Sequence, residues 1–96
     1  MRTITHGDVT VAARVVRGRP AVAQRRMVLG FLDRAHAADL FRKRFGRAHP
    51  FWGNGSLMGA VLSDVRAMPE PFLSDTSYLE ALALAIDTVL DWRRRG

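Results

Sequence analysis

Between Pro20 and Gly46 the chain runs on without a strong helix-terminating signal. Pro20 suits the first position of a helix, where its missing N–H has no intrahelical partner to lose. Gly46 suits the left-handed residue that closes one. A helix of about 25 residues is ~37 Å long if straight; Gly30 is one point where it can bend, and the last turn, beyond Phe41, is another where the register can depart from regular. In a chain of 96 residues, a rod of that length leaves room only for shorter elements packed along it. Met27, Val28, Phe31, Ala35, Ala38, Phe41 and Phe45 fall on one broad arc of this helix, and Arg25, Asp33, His36, Asp39, Lys43 and Arg44 fall largely opposite. In a regular register Arg42 projects into the apolar arc.

Three more segments carry the same period. Thr5 followed by Asp8 resembles a capping box with the shorter acid, and Gly18 supplies a stop, which predicts a helix over about residues 6–17. Its Val9, Ala12, Ala13, Val15 and Val16 are expected inward and Thr10, Arg14 and Arg17 outward. Ser56 caps a short helix to about residue 66, with Leu57, Met58, Val61, Leu62 and Val65 inward, before Pro69 and Pro71 end the region. Ser74 or Asp75 caps the last helix, over about residues 76–94. There Leu79, Leu82, Ala83, Ile86, Val89 and Leu90 form the stripe expected to face the core, edged by Tyr78 and Trp92.

No segment alternates with period two, so the expected fold is all-α: one domain over residues 1–96, a small bundle of four helices. Residues 46–55 hold the densest turn chemistry, Pro50 and Gly53-Asn54-Gly55, and read as an ordered glycine- and aromatic-rich loop between the second and third helices. Phe51 and Trp52 are expected to anchor it, because rings of that size are costly to leave in water.

Composition narrows the function classes. A hydrophobic share of 48% with a mean hydropathy of −0.05 describes a folded chain rather than a disordered one. No apolar run approaches the ~20 residues that span a bilayer, and Met1 to His6 lacks the apolar stretch of a secretory signal. No membrane association is therefore expected. With no cysteine, nothing requires an oxidising compartment, and the cytoplasm is the expected location.

The net charge of +6 is unevenly spread: residues 1–48 carry +8 and residues 49–96 carry −2. A basic face concentrates phosphate-rich partners and releases counterions on binding them. Alternatively, the acidic second half neutralises the basic first half within the fold. All but one of the cations are arginine, a bias that GC-rich codon usage also produces.

The search for catalytic parts is negative. Ser56 sits in Gly53-Asn54-Gly55-Ser56-Leu57, which is not a nucleophile elbow and follows no strand. No enzymatic activity is expected, and no cofactor. Asp33, His36 and Asp39 lie three apart, and His49 completes a conceivable set of metal ligands, but no paired-histidine motif supports them, so no metal is expected. Asn54 and the glycines beside it, entering a helix N-terminus, suit an anion; they equally suit a tight turn with Ser56 as cap.

Arg42-Lys43-Arg44, Arg47, Phe51 and Trp52 interleave cations with aromatics, as single-stranded nucleic-acid surfaces do. The competing account is local: cations belong in the last turn of any helix, and rings after a helix anchor loops. The candidate site is thus Arg42, Lys43, Arg44, Arg47, Trp52 and Asn54, for nucleic acid or another polyanion. The rival is a protein-interaction adaptor or homo-oligomer, in which Glu80, Asp87, Asp91 and the outlying Leu84 meet the basic half of another chain. A helix-turn-helix through Gly18-Arg19-Pro20 is disfavoured, because the second helix is too long and Ala21-Val22-Ala23 has little to read bases with.

The blocks Ala35-His36-Ala37-Ala38-Asp39, Arg42-Lys43-Arg44, Gly46-Arg47-Ala48-His49-Pro50, Trp52 to Met58 and Pro69-Glu70-Pro71-Phe72-Leu73 resemble small uncharacterised proteins of alphaproteobacteria, of the kind grouped as domains of unknown function. The resemblance covers nearly the whole chain in length and order. It implies a free-standing bacterial protein and carries no activity, cofactor or site residue.

Overall fold

Thr5 begins the first helix through the reciprocal cap its sequence predicts. In the computed structural model, which describes residues 3–66 and 69–95, the Thr5 hydroxyl accepts the Asp8 N–H at 3.2 Å and the Thr5 N–H donates to the Asp8 carboxylate at 2.8 Å. Four helices follow: α1 (His6–Val16), α2 (Ala21–Phe45), α3 (Leu57–Asp64) and α4 (Thr76–Arg94). Ser56 caps α3 and Asp75 caps α4, each accepting a first-turn N–H. Gly46 closes α2 at φ +70°.

α3 and α4 each lie across both α1 and α2 and, among the described residues, do not pack on each other. α1 is therefore enclosed on most sides. Asp8, Val9, Thr10, Val11, Ala12, Ala13 and Val16 are all buried, so the expected outward place for Thr10 is wrong. Its hydroxyl donates to the Gly7 carbonyl at 3.0 Å, which removes the cost of burying it. Val28, Phe31 and Leu32 of α2, Leu57 and Val61 of α3, and Tyr78, Ala81, Ala85 and Val89 of α4 complete the core.

Asp8 has a second task that no local pattern signals. Its other carboxylate oxygen accepts the Met58 N–H in the first turn of α3 at 3.0 Å, so one buried side chain serves the N-termini of two helices. Asp8→Ala is expected to lower the unfolding free energy by about 2 kcal/mol, combining a lost cap with an orphaned N–H. A denaturant melt superimposable on the parent would remove that role.

α4 corrects the sequence reading most. Tyr78, Ala81, Ala85, Thr88 and Val89 face inward, while Leu79, Ala83, Ile86 and Leu90 face out. Leu82 and Trp92 are half-buried against the core. Hydropathy favours the leucine-rich side, but close approach to two helices at once selects the side with small residues. Thr88 satisfies its buried hydroxyl on the Leu84 carbonyl at 2.7 Å, and the Tyr78 hydroxyl donates to Glu70 at 3.0 Å. α3 also ends earlier than expected, and Leu62 is exposed.

The two charge halves meet at the surface of the folded chain. Arg17 pairs with Asp75 at 3.1 Å, Arg25 with Asp91 at 2.6 Å and Asp87 at 3.4 Å, and Arg34 with Asp64 at 3.6 Å. Exposed pairs of this kind contribute ~0–1 kcal/mol each, so they orient helices more than they hold them. The Ser77 hydroxyl, the Tyr78 N–H and the Arg17 guanidinium hold the Asp75 carboxyl below its ordinary range. A lowered folded-state value stabilises the fold above the unfolded pKa of about 3.9 and loses that contribution as pH falls. Asp75→Asn, which keeps a capping oxygen, is expected to flatten the acid limb of stability followed by far-UV circular dichroism.

Candidate functional site

α2 is longer than the helices beside it, 25 residues against 11, 8 and 19. Its C-terminal end consequently stands clear of the core. Leu40, Arg42, Lys43, Arg44 and Phe45 are exposed and Phe41 is half-buried. Two expectations fail here: Arg42 does not enter an apolar interior, and Phe45 is 54% exposed. The periodic arc persists beyond the point where α1, α3 and α4 can cover it.

After Gly46 the chain doubles back on His49. The His49 N–H donates to the Gly53 carbonyl at 2.8 Å, and its Nδ1 accepts the N–H groups of Phe51 and Trp52, both at 3.1 Å. This network assigns the ring proton to Nε2 when His49 is neutral. Trp52 stacks on the imidazole at 4.6 Å and 5°. Phe41 meets the same ring edge-on at 4.9 Å, and Phe45 lies against Phe41 at 4.6 Å. The result is a chain of rings, Phe45–Phe41–His49–Trp52, with Phe51 at 6.0 Å from His49.

Two glycines seat this loop. A Cβ on Gly53 would lie 3.0 Å from the Gly59 backbone, and one on Gly55 would lie 2.8 Å from Asp39 of α2; both have positive φ. Asn54 accepts the Ser56 N–H at 3.1 Å and the Ser56 hydroxyl at 2.8 Å, while the Ser56 oxygen accepts the Gly59 N–H. The tight-turn geometry is thus in place at α3, and it occupies the Asn54 carbonyl oxygen. Phe51 is the reverse of the expected anchor: it is 73% exposed. Trp52 is half-buried.

The cations border the rings. The Arg44 guanidinium lies 5.5 Å from the Phe45 centroid and that of Arg47 5.5 Å from Phe41. Lys43 pairs with Asp39 at 3.0 Å, the i to i+4 pair its spacing predicts. The Lys43 ammonium prevails over burial and holds the Asp39 carboxyl below its ordinary range. Among the described residues, no carboxylate pairs with Arg42, Arg44 or Arg47. Of the six residues singled out from sequence, Arg44, Arg47 and Trp52 therefore join one ring system, Arg42 and Lys43 share its exposed helix end, and Asn54 belongs to the turn at α3. Phe41, Phe45 and His49 were missed as site residues, and Phe51, part of the cation–aromatic cluster in the sequence, was set aside as a loop anchor. For Phe41 and Phe45 the signal was the excess length of α2, which spans Ala21–Phe45.

Asp33, His36, Asp39 and His49 do not converge. Asp33 accepts the Trp92 indole N–H at 3.3 Å, and His36 meets the Trp92 ring at 5.9 Å. Among the described residues, no three histidines or carboxylates are placed to hold a metal, and no helix is long and apolar enough to cross a membrane. A shallow cleft of about 450 Å³ lies beside Arg17, Glu70, Pro71, Phe72 and Asp75. Its charged groups already bond within the protein, Arg17 to Asp75 and Glu70 to Tyr78.

The family model for the domain of unknown function DUF7742 matches residues 2–89, and the chain belongs to that family. No curated protein and no solved structure matches it.

Proposed function

We propose that this member of the DUF7742 family is a non-enzymatic binding module that holds a polyanion, single-stranded nucleic acid, on the end of α2 and the loop after it. One observation carries the reading: Phe45 and Phe51 hold exposed rings on an ordered scaffold, and in the same ring system Arg44 stands beside Phe45 and Arg47 beside Phe41, neither engaged by a carboxylate among the described residues. Exposed aromatic faces stack on any unpaired base, and flanking guanidinium groups follow the phosphates without reading sequence. A duplex keeps its base faces covered, so single strands fit the exposed rings better.

Binding of a mixed-sequence oligonucleotide, followed by fluorescence anisotropy, is expected to weaken steeply with salt through counterion release. Arg44→Ala with Arg47→Ala should leave stability within about 0.5 kcal/mol of the parent, since both side chains are exposed. The same double change should flatten the single-strand salt slope by ~0.7 per lost phosphate contact. Phe51→Ala should cost ~1–3 kcal/mol of single-strand affinity with the melting temperature unchanged. Trp52→Ala is a poorer probe, because its stacking on His49 ties it to the loop's own structure. Absence of single-strand binding at low salt would overturn the reading.

A further inference from the structure

We infer that the outward face of α4 is a self-association surface, and that its occupant is the same helix of a second copy of this chain, paired antiparallel. Leu79, Ile86 and Leu90 are 44%, 51% and 44% exposed, and with Ala83 they follow one another at intervals of 4, 3 and 4 residues. That is the spacing of a coiled-coil seam, on which side chains insert between those of a facing helix. α4 thus has two apolar sides, and α1 and α2 cover only the one with Tyr78, Ala81 and Ala85.

Charge selects the occupant and its direction. Glu80 flanks the N-terminal half of the seam, while Arg93 and Arg94 stand at its C-terminal end. Among the described residues none of these three forms an ion pair. A second copy laid parallel would set arginine clusters and helix dipoles of like sense side by side. Laid antiparallel, Leu79 faces the partner copy's residue 90 and Ala83 its residue 86. Glu80 then lies opposite position 89, about 6 Å along the axis from position 93, within reach of the arginine end. Asp87 falls near the two-fold axis, where like charges meet, and Arg25 of the same chain already pairs with it. This surface shares only Glu80 with the Glu80, Asp87 and Asp91 set expected to meet another chain, because Asp91 also belongs to Arg25. The seam extends for only ~17 Å, so the association is expected to be reversible and concentration-dependent.

Sedimentation velocity of the full chain over a concentration series tests the inference. A monomer–dimer equilibrium is expected. Ile86→Glu should raise its dissociation constant at least ~100-fold by placing an unpaired carboxylate in the seam, with the far-UV spectrum unchanged because the position is half exposed. Glu80→Arg should weaken association about tenfold through like-charge repulsion, and Glu80→Arg combined with Arg94→Glu should restore it. A parallel pair would set position 80 against 80 and 94 against 94, so the combined change would bring no recovery. A wild-type chain that stays monomeric at its highest soluble concentration, or a dimer insensitive to Ile86→Glu, overturns the inference. Neither result bears on nucleic-acid binding at the end of α2.

Discussion

Phe31→Ala is expected to lower the unfolding free energy by about 3–5 kcal/mol, and Ile86→Ala by less than about 1 kcal/mol, when monomeric samples of both are titrated with the same denaturant. Phe31 is fully buried among the side chains that all four helices contribute to the core. Truncating it removes a ring from water-free surroundings that relax only partly, so lost transfer energy and a residual cavity add. The Arg34 guanidinium, 5.0 Å above the ring, would lose a cation–π contact as well. Ile86 is the stronger candidate on hydropathy alone, since it lies mid-helix between Leu82 and Leu90. Half of it is already in water, and its loss creates no enclosed cavity. Equal effects for the two changes would mean that α4 presents its other side to the core.

Gly55→Ala is expected to destabilise the fold by at least about 3 kcal/mol, and Gly18→Ala by only about 1 kcal/mol. Both glycines have positive φ, +97° and +85°, so both substitutions strain the backbone. They differ in surroundings. A methyl at position 18 meets nothing within 4 Å, whereas one at position 55 would lie 2.8 Å from both Cα and Cβ of Asp39. Those atoms belong to a buried turn of α2 and cannot move aside as the tip of a flexible side chain would. The loop would have to lift from α2, taking with it the Trp52–His49 stack. Near-UV circular dichroism is therefore expected to lose aromatic signal in Gly55→Ala and to keep it in Gly18→Ala. The two variants separate strain from steric overlap in a way that neither does alone.

The proposals rest on separate surfaces. The α2 end and its loop carry exposed rings among cations, and α4 carries exposed aliphatic side chains between charges of opposite sign, Glu80 against Arg93 and Arg94, that form no ion pair among the described residues. Each has a variant that leaves the core untouched, Phe51→Ala for the first and Ile86→Glu for the second.

Helix number and most helix ends and caps were readable along the chain; the exceptions are α3, which stops at Asp64 rather than about residue 66, and Pro20, which caps α2 from just outside instead of starting it. The bonds that set them join residues close in sequence: Thr5 to Asp8, Ser56 to Gly59, Asp75 to Tyr78, Gly46 back to Arg42. The Asp39–Lys43 pair was readable for the same reason, and so was the overall meeting of basic and acidic halves, although not which residues meet. Direction and depth were not readable. Thr10, Phe45, Ile86 and the double role of Asp8 depend on where a second or third helix lies, and periodicity describes one helix at a time. An apolar side chain on a helix has a favourable place to go only if a neighbour reaches it. α2 outruns its neighbours, so Phe45 stays in water, and α4 is apolar on two sides, so the small residues that permit close approach, rather than the larger aliphatics, determined which side is buried.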